Sequence, residues 1–149
     1  MSKHNDQKID YIEFNVQDIR RTRDFYGKAF GWTFTDYGPE YCEFQDGRLT
    51  GGFTTQGSVK SNGGPLVILY ADDLPATVKR VEASGGKIVK PIYDFPGGQR
   101  FHFADPDGYE LAVYTALDEN RLRRSRVHLP MPLIWSRSRG TLQAVPRSM

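Results

Sequence analysis

Residues 11–32 read YIEFNVQDIRRTRDFYGKAFGW, and two periods meet inside that stretch. Up to Val16 the apolar groups alternate, with Ile12, Phe14 and Val16 on one side and Tyr11, Glu13 and Asn15 on the other. A period of two with one polar side marks a half-buried strand, placed at residues 9–16. From Ile19 the spacing changes. Ile19, Thr22, Phe25, Tyr26, Ala29 and Phe30 recur every third or fourth position, as on one face of a helix. Asp18 stands where an N-cap carboxylate takes up a free backbone N–H, and Gly31 where a helix ends in the left-handed conformation. The stretch is a strand followed by a helix.

Working outward, residues 32–37 and 41–45 read as strands separated by Gly38-Pro39, and Asp46-Gly47 is a hairpin turn leading into a strand at 49–54. Residues 58–64 are polar and glycine-rich, a linker by composition. The order then repeats. An apolar strand at 66–71 precedes Asp72-Asp73, and Leu74, Val78 and Val81 mark a helix that stops at Gly85-Gly86. Strands follow at 87–93, 100–103 and 109–114, the last two joined by Asp105-Pro106-Asp107-Gly108. Asp18-Ile19 is as far from Asp73-Leu74 as Gly31 is from Gly86, which points to an internal duplication of a βαβββ unit. Four strands and one helix are too little for a stable core, so the two units should pair. The chain divides into a disordered N-terminus (1–8), a first module (9–57), a linker (58–64), a second module (65–117) and a basic tail (118–149).

Charge is distributed unevenly. The net charge is +2, from 20 basic and 18 acidic residues, but residues 120–149 hold seven arginines and no acid. The rest of the chain is therefore mildly acidic. The tail lacks aromatic interleaving and a reading motif, so nucleic acid is not the expected partner. It reads instead as an arm for a neighbouring subunit, or as sequence not selected for this fold. A single cysteine, Cys42, excludes an internal disulfide and suits a reducing cytoplasm. No apolar run is long enough to span a membrane, and MSKHNDQK lacks the apolar stretch of a signal peptide.

With these elements in place, YIEFNVQDIRRTRDFYGKAFGW and FADPDGYELAVY (103–114) resemble the opening and closing segments of the glyoxalase/bleomycin-resistance/dioxygenase (vicinal oxygen chelate) superfamily. The first is similar to the family's strand and D-[LI]-x-x-[ST]-x-x-F-Y helix, the second to its DPDG-type turn before the last strand. The resemblance covers about residues 9–116 and implies an α+β fold in which two βαβββ modules form an open, cup-shaped mixed sheet. It also implies a homodimer. Family metal enzymes carry His and Glu ligands on the first and fourth strands of each unit. Those positions fall here at Tyr11, Gly51, Leu66 and Ala112, none of which offers an imidazole or carboxylate. No metal or other cofactor is therefore expected.

Alternation then assigns the cup lining: Tyr11, Glu13, Tyr41, Glu43, Gly51, Leu66, Ile68, Tyr70, Arg100, His102, Glu110, Ala112 and Tyr114. This mixture of tyrosines, carboxylates, one His and one Arg suits a small, partly aromatic organic molecule. His102 and Glu110, if paired across the hairpin, form a candidate acid–base pair for a lyase, isomerase or dioxygenase, or else a polar pair on a wet sheet face. A non-standard metal set of His102, Glu110 and Glu43 is the remaining alternative. Gly51 marks a space open to a ligand, and Cys42 should face the core.

Overall fold

The computed structural model describes residues 6–116 and the backbone of 133–138 and 141–146. Its first module runs β1 (Tyr11–Asn15), α1 (Ile19–Phe30), β2 (Thr33–Asp36), β3 (Tyr41–Gln45) and β4 (Thr50–Thr54). The second runs β5 (Val67–Tyr70), α2 (Leu74–Ala83), β6 (Lys87–Phe95), β7 (Gly98–Ala104) and β8 (Glu110–Ala116). The sheets are ordered β1-β4-β3-β2 and β5-β8-β7-β6, so the topology of one module is that of the other. In each, the leading strand lies parallel to the fourth and the remaining pairs are antiparallel.

Local chemistry sets the boundaries. The Asp18 carboxylate accepts the Arg21 N–H at 3.1 Å, and Gly31 ends α1 with φ of 74°. Asp73 caps α2 in the same way, accepting the Ala76 N–H at 3.0 Å. Strands β6 and β7 are longer than the sequence suggests. They close a tight hairpin over Pro96-Gly97, and two register shifts in β6 obscure its alternation.

Both modules contribute to one core. Phe25 and Phe30 of α1 reach Phe103 of β7 at ring-centroid distances of 5.9 and 5.5 Å, and Phe14 of β1 meets Tyr109 edge-on at 5.5 Å. The DPDG turn is the clasp between them. Asp105 accepts its own turn's Asp107 and Tyr109 N–H groups and, from the other module, the Tyr26 hydroxyl at 2.8 Å. Asp107, its side chain fully buried, accepts from the Gln17 N–H, the Arg21 guanidinium and the Thr22 hydroxyl at the start of α1. The two stretches that carry the family resemblance thus bind each other.

Burial raises the Asp105 carboxyl above its ordinary value, against hydrogen bonds from Tyr26, Tyr109 and Asp107 that favour the ionised form. A carboxyl raised in the fold holds its proton longer there than in the unfolded chain. Its contribution to stability is therefore full below the unfolded value and lost as pH rises through the folded one. Asp105→Asn does not titrate. The unfolding free energy of the wild type minus that of this variant is thus expected to fall as pH rises from about 3.9, the value of an Asp in the unfolded chain, toward neutrality. Urea titrations across that range check the sign, and a difference that grows with pH would contradict it.

The backbone of 133–138 and 141–146 forms a two-stranded antiparallel pair, β9 (Leu133–Ser138) with β10 (Thr141–Pro146). Neither segment shows the period-two alternation by which strands are recognised in a sequence. The rest of the tail, and residues 1–5 of the expected disordered N-terminus, lie outside the described residues.

Candidate functional site

Each sheet buries one face in the shared core and leaves the other open. On the first sheet, register places Tyr11, Glu13, Tyr41 and Glu43 on the open face. The Tyr11 and Tyr41 hydroxyls are 2.6 Å apart, and Tyr41 donates to Glu13 Oε1 at 2.8 Å, so Tyr11 donates to the Tyr41 oxygen. Burial, followed by the hydrogen bonds to Tyr11 and Glu13, pushes the Tyr41 phenol up and keeps it protonated. The Gln45 amide holds Glu43 Oε1 at 3.0 Å.

Gly51 does not line this face. It lies opposite Phe44 and Ile12, where an added Cβ would sit 2.2 Å from Phe44 Cζ and 2.3 Å from the Ile12 carbonyl oxygen. The open-face glycine is Gly52, whose Cβ would lie 2.1 Å from the Tyr41 oxygen and 2.7 Å from that of Tyr11. The assignment slips by one because neither glycine carries a side chain to reveal its face. Phe53, buried and two positions from Gly51, is the signal that identifies the register. Nor is the space beside the glycine open, since the two phenols occupy it.

On the second sheet, Arg100, His102, Ala112, Tyr114, Ile68 and Tyr70 share one face by register, with Glu110 beside them. Leu66, just before β5, has the parity of Ile68, and Leu66, Ile68 and Tyr70 are all exposed. Tyr70 meets Tyr114 edge-on at 5.2 Å. Through this aromatic surface runs a polar row. Glu110 Oε2 lies 2.7 Å from His102 Nδ1, His102 Nε2 lies 2.9 Å from the Tyr93 hydroxyl, and Arg100 Nε donates to the Tyr93 oxygen. A carboxylate can only accept, so Nδ1 carries hydrogen; in the neutral ring Nε2 then accepts from Tyr93. Alternation does not reveal Tyr93, because Pro91 and the register shifts in β6 break the pattern that would assign its side.

His102 is only 3% exposed, whereas the Glu110 side chain is 42% exposed. The imidazole is therefore a buried link between a carboxylate and a phenol, and does not itself face a ligand. The hydrogen bonds and ring contacts that join the modules run between α1 with its flanking residues and the DPDG turn, between α1 and α2, and among the buried rings. Among the described residues, no hydrogen bond or ring contact joins the Tyr11, Glu13, Tyr41 and Glu43 face to the Arg100, His102 and Glu110 face. Glu43 consequently does not join His102 and Glu110, and no three His, Cys, Asp or Glu side chains among the described residues are grouped to hold a metal. Cys42 is buried, and burial pushes its thiol up to about 11, the setting of an inert core group.

The four family ligand positions, with the fourth-strand one moved to Gly52, are Tyr11, Gly52, Leu66 and Ala112. This set does not fit a divalent metal. Tyr11 is a phenol raised by burial and tied to Tyr41, and the others bring no donor atom.

Comparison with known proteins agrees with the fold. Over 124 residues the chain is 31% identical to the anthracycline biosynthesis protein DnrV of Streptomyces peucetius, which covers 70% of this chain and 45% of that protein. It thus spans less than half the length of that relative. A glyoxalase-related enzyme from Fulvimarina pelagi superposes with a TM-score of 0.63 at 21% identity, covering 92% of this chain and 97% of its own. A mutant of the fosfomycin resistance protein FosX from Listeria monocytogenes, complexed with Mn(II) and 1S,2S-dihydroxypropylphosphonic acid, gives 0.65 at 19% identity, covering 79% and 97%. The family model described as Glyoxalase/Bleomycin resistance protein/Dioxygenase superfamily matches residues 8–113, and with two βαβββ modules clasped by its own motifs the chain belongs to that superfamily.

Proposed function

We propose that the protein binds a small, partly aromatic organic molecule without the usual metal centre of its family. The observation that carries this reading is the absence of imidazole and carboxylate groups at Tyr11, Gly52, Leu66 and Ala112. The exposed aromatic and aliphatic surface of Leu66, Ile68, Tyr70 and Tyr114 supplies the apolar contact. Its relative DnrV takes its name from anthracycline biosynthesis, which agrees with an aromatic ligand.

A homodimer completes the site. The phenol and carboxylate face of one chain's first sheet closes over the Arg100–Glu110 face of the partner's second sheet, because no such contact joins these faces within one chain. The described residues contain no helix long and apolar enough to cross a membrane, and a reduced Cys42 fits a cytoplasmic setting.

Calorimetric titration with 1,8-dihydroxyanthraquinone is expected to show one site per chain. Chelator treatment should leave it unchanged, and Ile68→Glu should weaken it about tenfold or more, a loss of about 1.4 kcal/mol. A stoichiometric divalent metal whose removal abolishes binding would overturn the reading. A second reading, a glyoxalase-like lyase or isomerase, is favoured by one observation, the 2.7 Å contact of His102 with Glu110.

A further inference from the structure

We propose that Tyr93, His102 and Glu110 form an acid–base triad whose working atom is Tyr93 Oη, moving a proton on a carbonyl-bearing aromatic ligand. The proposal rests on the second-sheet face being the ligand face, and it replaces His102 by Tyr93 as the group that meets the ligand.

His102 is 3% exposed, and both ring nitrogens are engaged, Nδ1 by Glu110 at 2.7 Å and Nε2 by Tyr93 at 2.9 Å. A base so enclosed acts only through a neighbour, and Tyr93 is that neighbour, half-buried on the open face. Glu110 fixes the tautomer that leaves Nε2 free to accept, which makes it a positioning residue. A polar pair that merely decorated a sheet would end at His102. Here the row continues to the phenol and then to a cation. The Arg100 guanidinium donates through Nε to the Tyr93 oxygen and lies 5.5 Å from the Tyr93 ring centroid and 5.7 Å from that of Phe95. Positive charge thus stands where negative charge develops when the phenol gives up its proton.

The step balances without an oxidant or a metal. Tyr93 Oη takes a proton from the ligand carbon next to the carbonyl, while its own proton passes to His102 Nε2. The ligand becomes an enolate, and the ring becomes an imidazolium whose Nδ1–H stays on Glu110. Return of the proton to a different ligand atom gives the isomer and restores the chain.

An activated phenol betrays itself to an acyl donor, with no need of the natural ligand. With p-nitrophenyl acetate, Tyr93 Oη attacks the acyl carbon, p-nitrophenolate leaves, and His102 takes the phenol proton. Peptide mass spectrometry of the full-length protein then gives the acetylation rate of each tyrosine. Tyr37, 61% exposed, is the internal reference. Tyr93 is expected to react at least about tenfold faster than Tyr37. In His102→Ala that advantage should vanish, and added imidazole should restore part of it, which a packing role alone does not allow. Glu110→Gln, at a half-exposed position that tolerates change, should lose several-fold. Tyr93 reacting no faster than Tyr37, or keeping its rate without His102, would overturn the triad. The anthraquinone titration is independent of this outcome, so a protein that binds the probe with an unreactive Tyr93 remains a binder without the triad.

Discussion

Gly51→Ala is expected to cost about 3 kcal/mol of stability, while the same substitution one residue later, at Gly52, costs about 1 kcal/mol or less. At Gly51 the new methyl meets the Ile12 carbonyl oxygen at 2.3 Å and the Phe44 ring at 2.2 and 2.4 Å. The first contact is backbone of the strand paired to β4, and the second is a buried ring stacked on Phe53 at 4.9 Å and Trp32 at 4.6 Å. Neither can retreat without opening the β1–β4 pair or the core. At Gly52 the methyl meets only the far ends of the Tyr41 and Tyr11 side chains, on an open face where they can swing outward. Gly52→Ala should therefore leave the denaturation midpoint nearly unchanged while separating the two phenols and releasing Glu13. Denaturant titrations of both variants decide the matter. Equal losses would mean that the two glycines do not face opposite sides.

That pair of residues also marks how far the sequence could be read. The strand and helix of residues 11–32 are legible because two periods and two cap residues agree, and the turn signals on either side of β3 give its limits as Tyr41–Gln45. Alternation alone puts Glu13, Tyr41, Arg100, His102 and Glu110 on the open faces, and the contact of His102 with Glu110 follows from the hairpin that joins their strands. Alternation is silent where it has nothing to act on. Gly51 and Gly52 hide their parity, and the irregular β6 hides Tyr93. The relation between modules was illegible for another reason. Which face of a sheet meets the other module depends on contacts such as Tyr26 with Asp105, between residues far apart in the chain. A pattern of period two distinguishes the faces of a strand without saying what each face meets.

Phe103→Ala tests that relation directly, with an expected loss of about 3–5 kcal/mol. The ring is fully buried, and its neighbours Phe25 and Phe30 belong to the other module, so truncation leaves a cavity where the two modules join. A helix on one side and a sheet on the other resist collapse into that space, which puts the cost toward the upper part of the range. The location matters more than the size. Trp32 lies wholly in the first module, stacked on Tyr26 at 4.6 Å, whereas Phe103 lies in the second. If the core is shared, removing the Phe103 ring should lower the unfolding midpoint seen by Trp32 fluorescence as much as that seen by far-UV circular dichroism. A Trp135→Phe background would keep the fluorescence signal confined to Trp32. Modules that folded independently would instead leave the Trp32 transition in place while the second sheet melted early. A single coincident shift is expected, because the clasp of Asp105 and Asp107 on α1 and the aromatic contacts around Phe103 give neither module a complete core of its own.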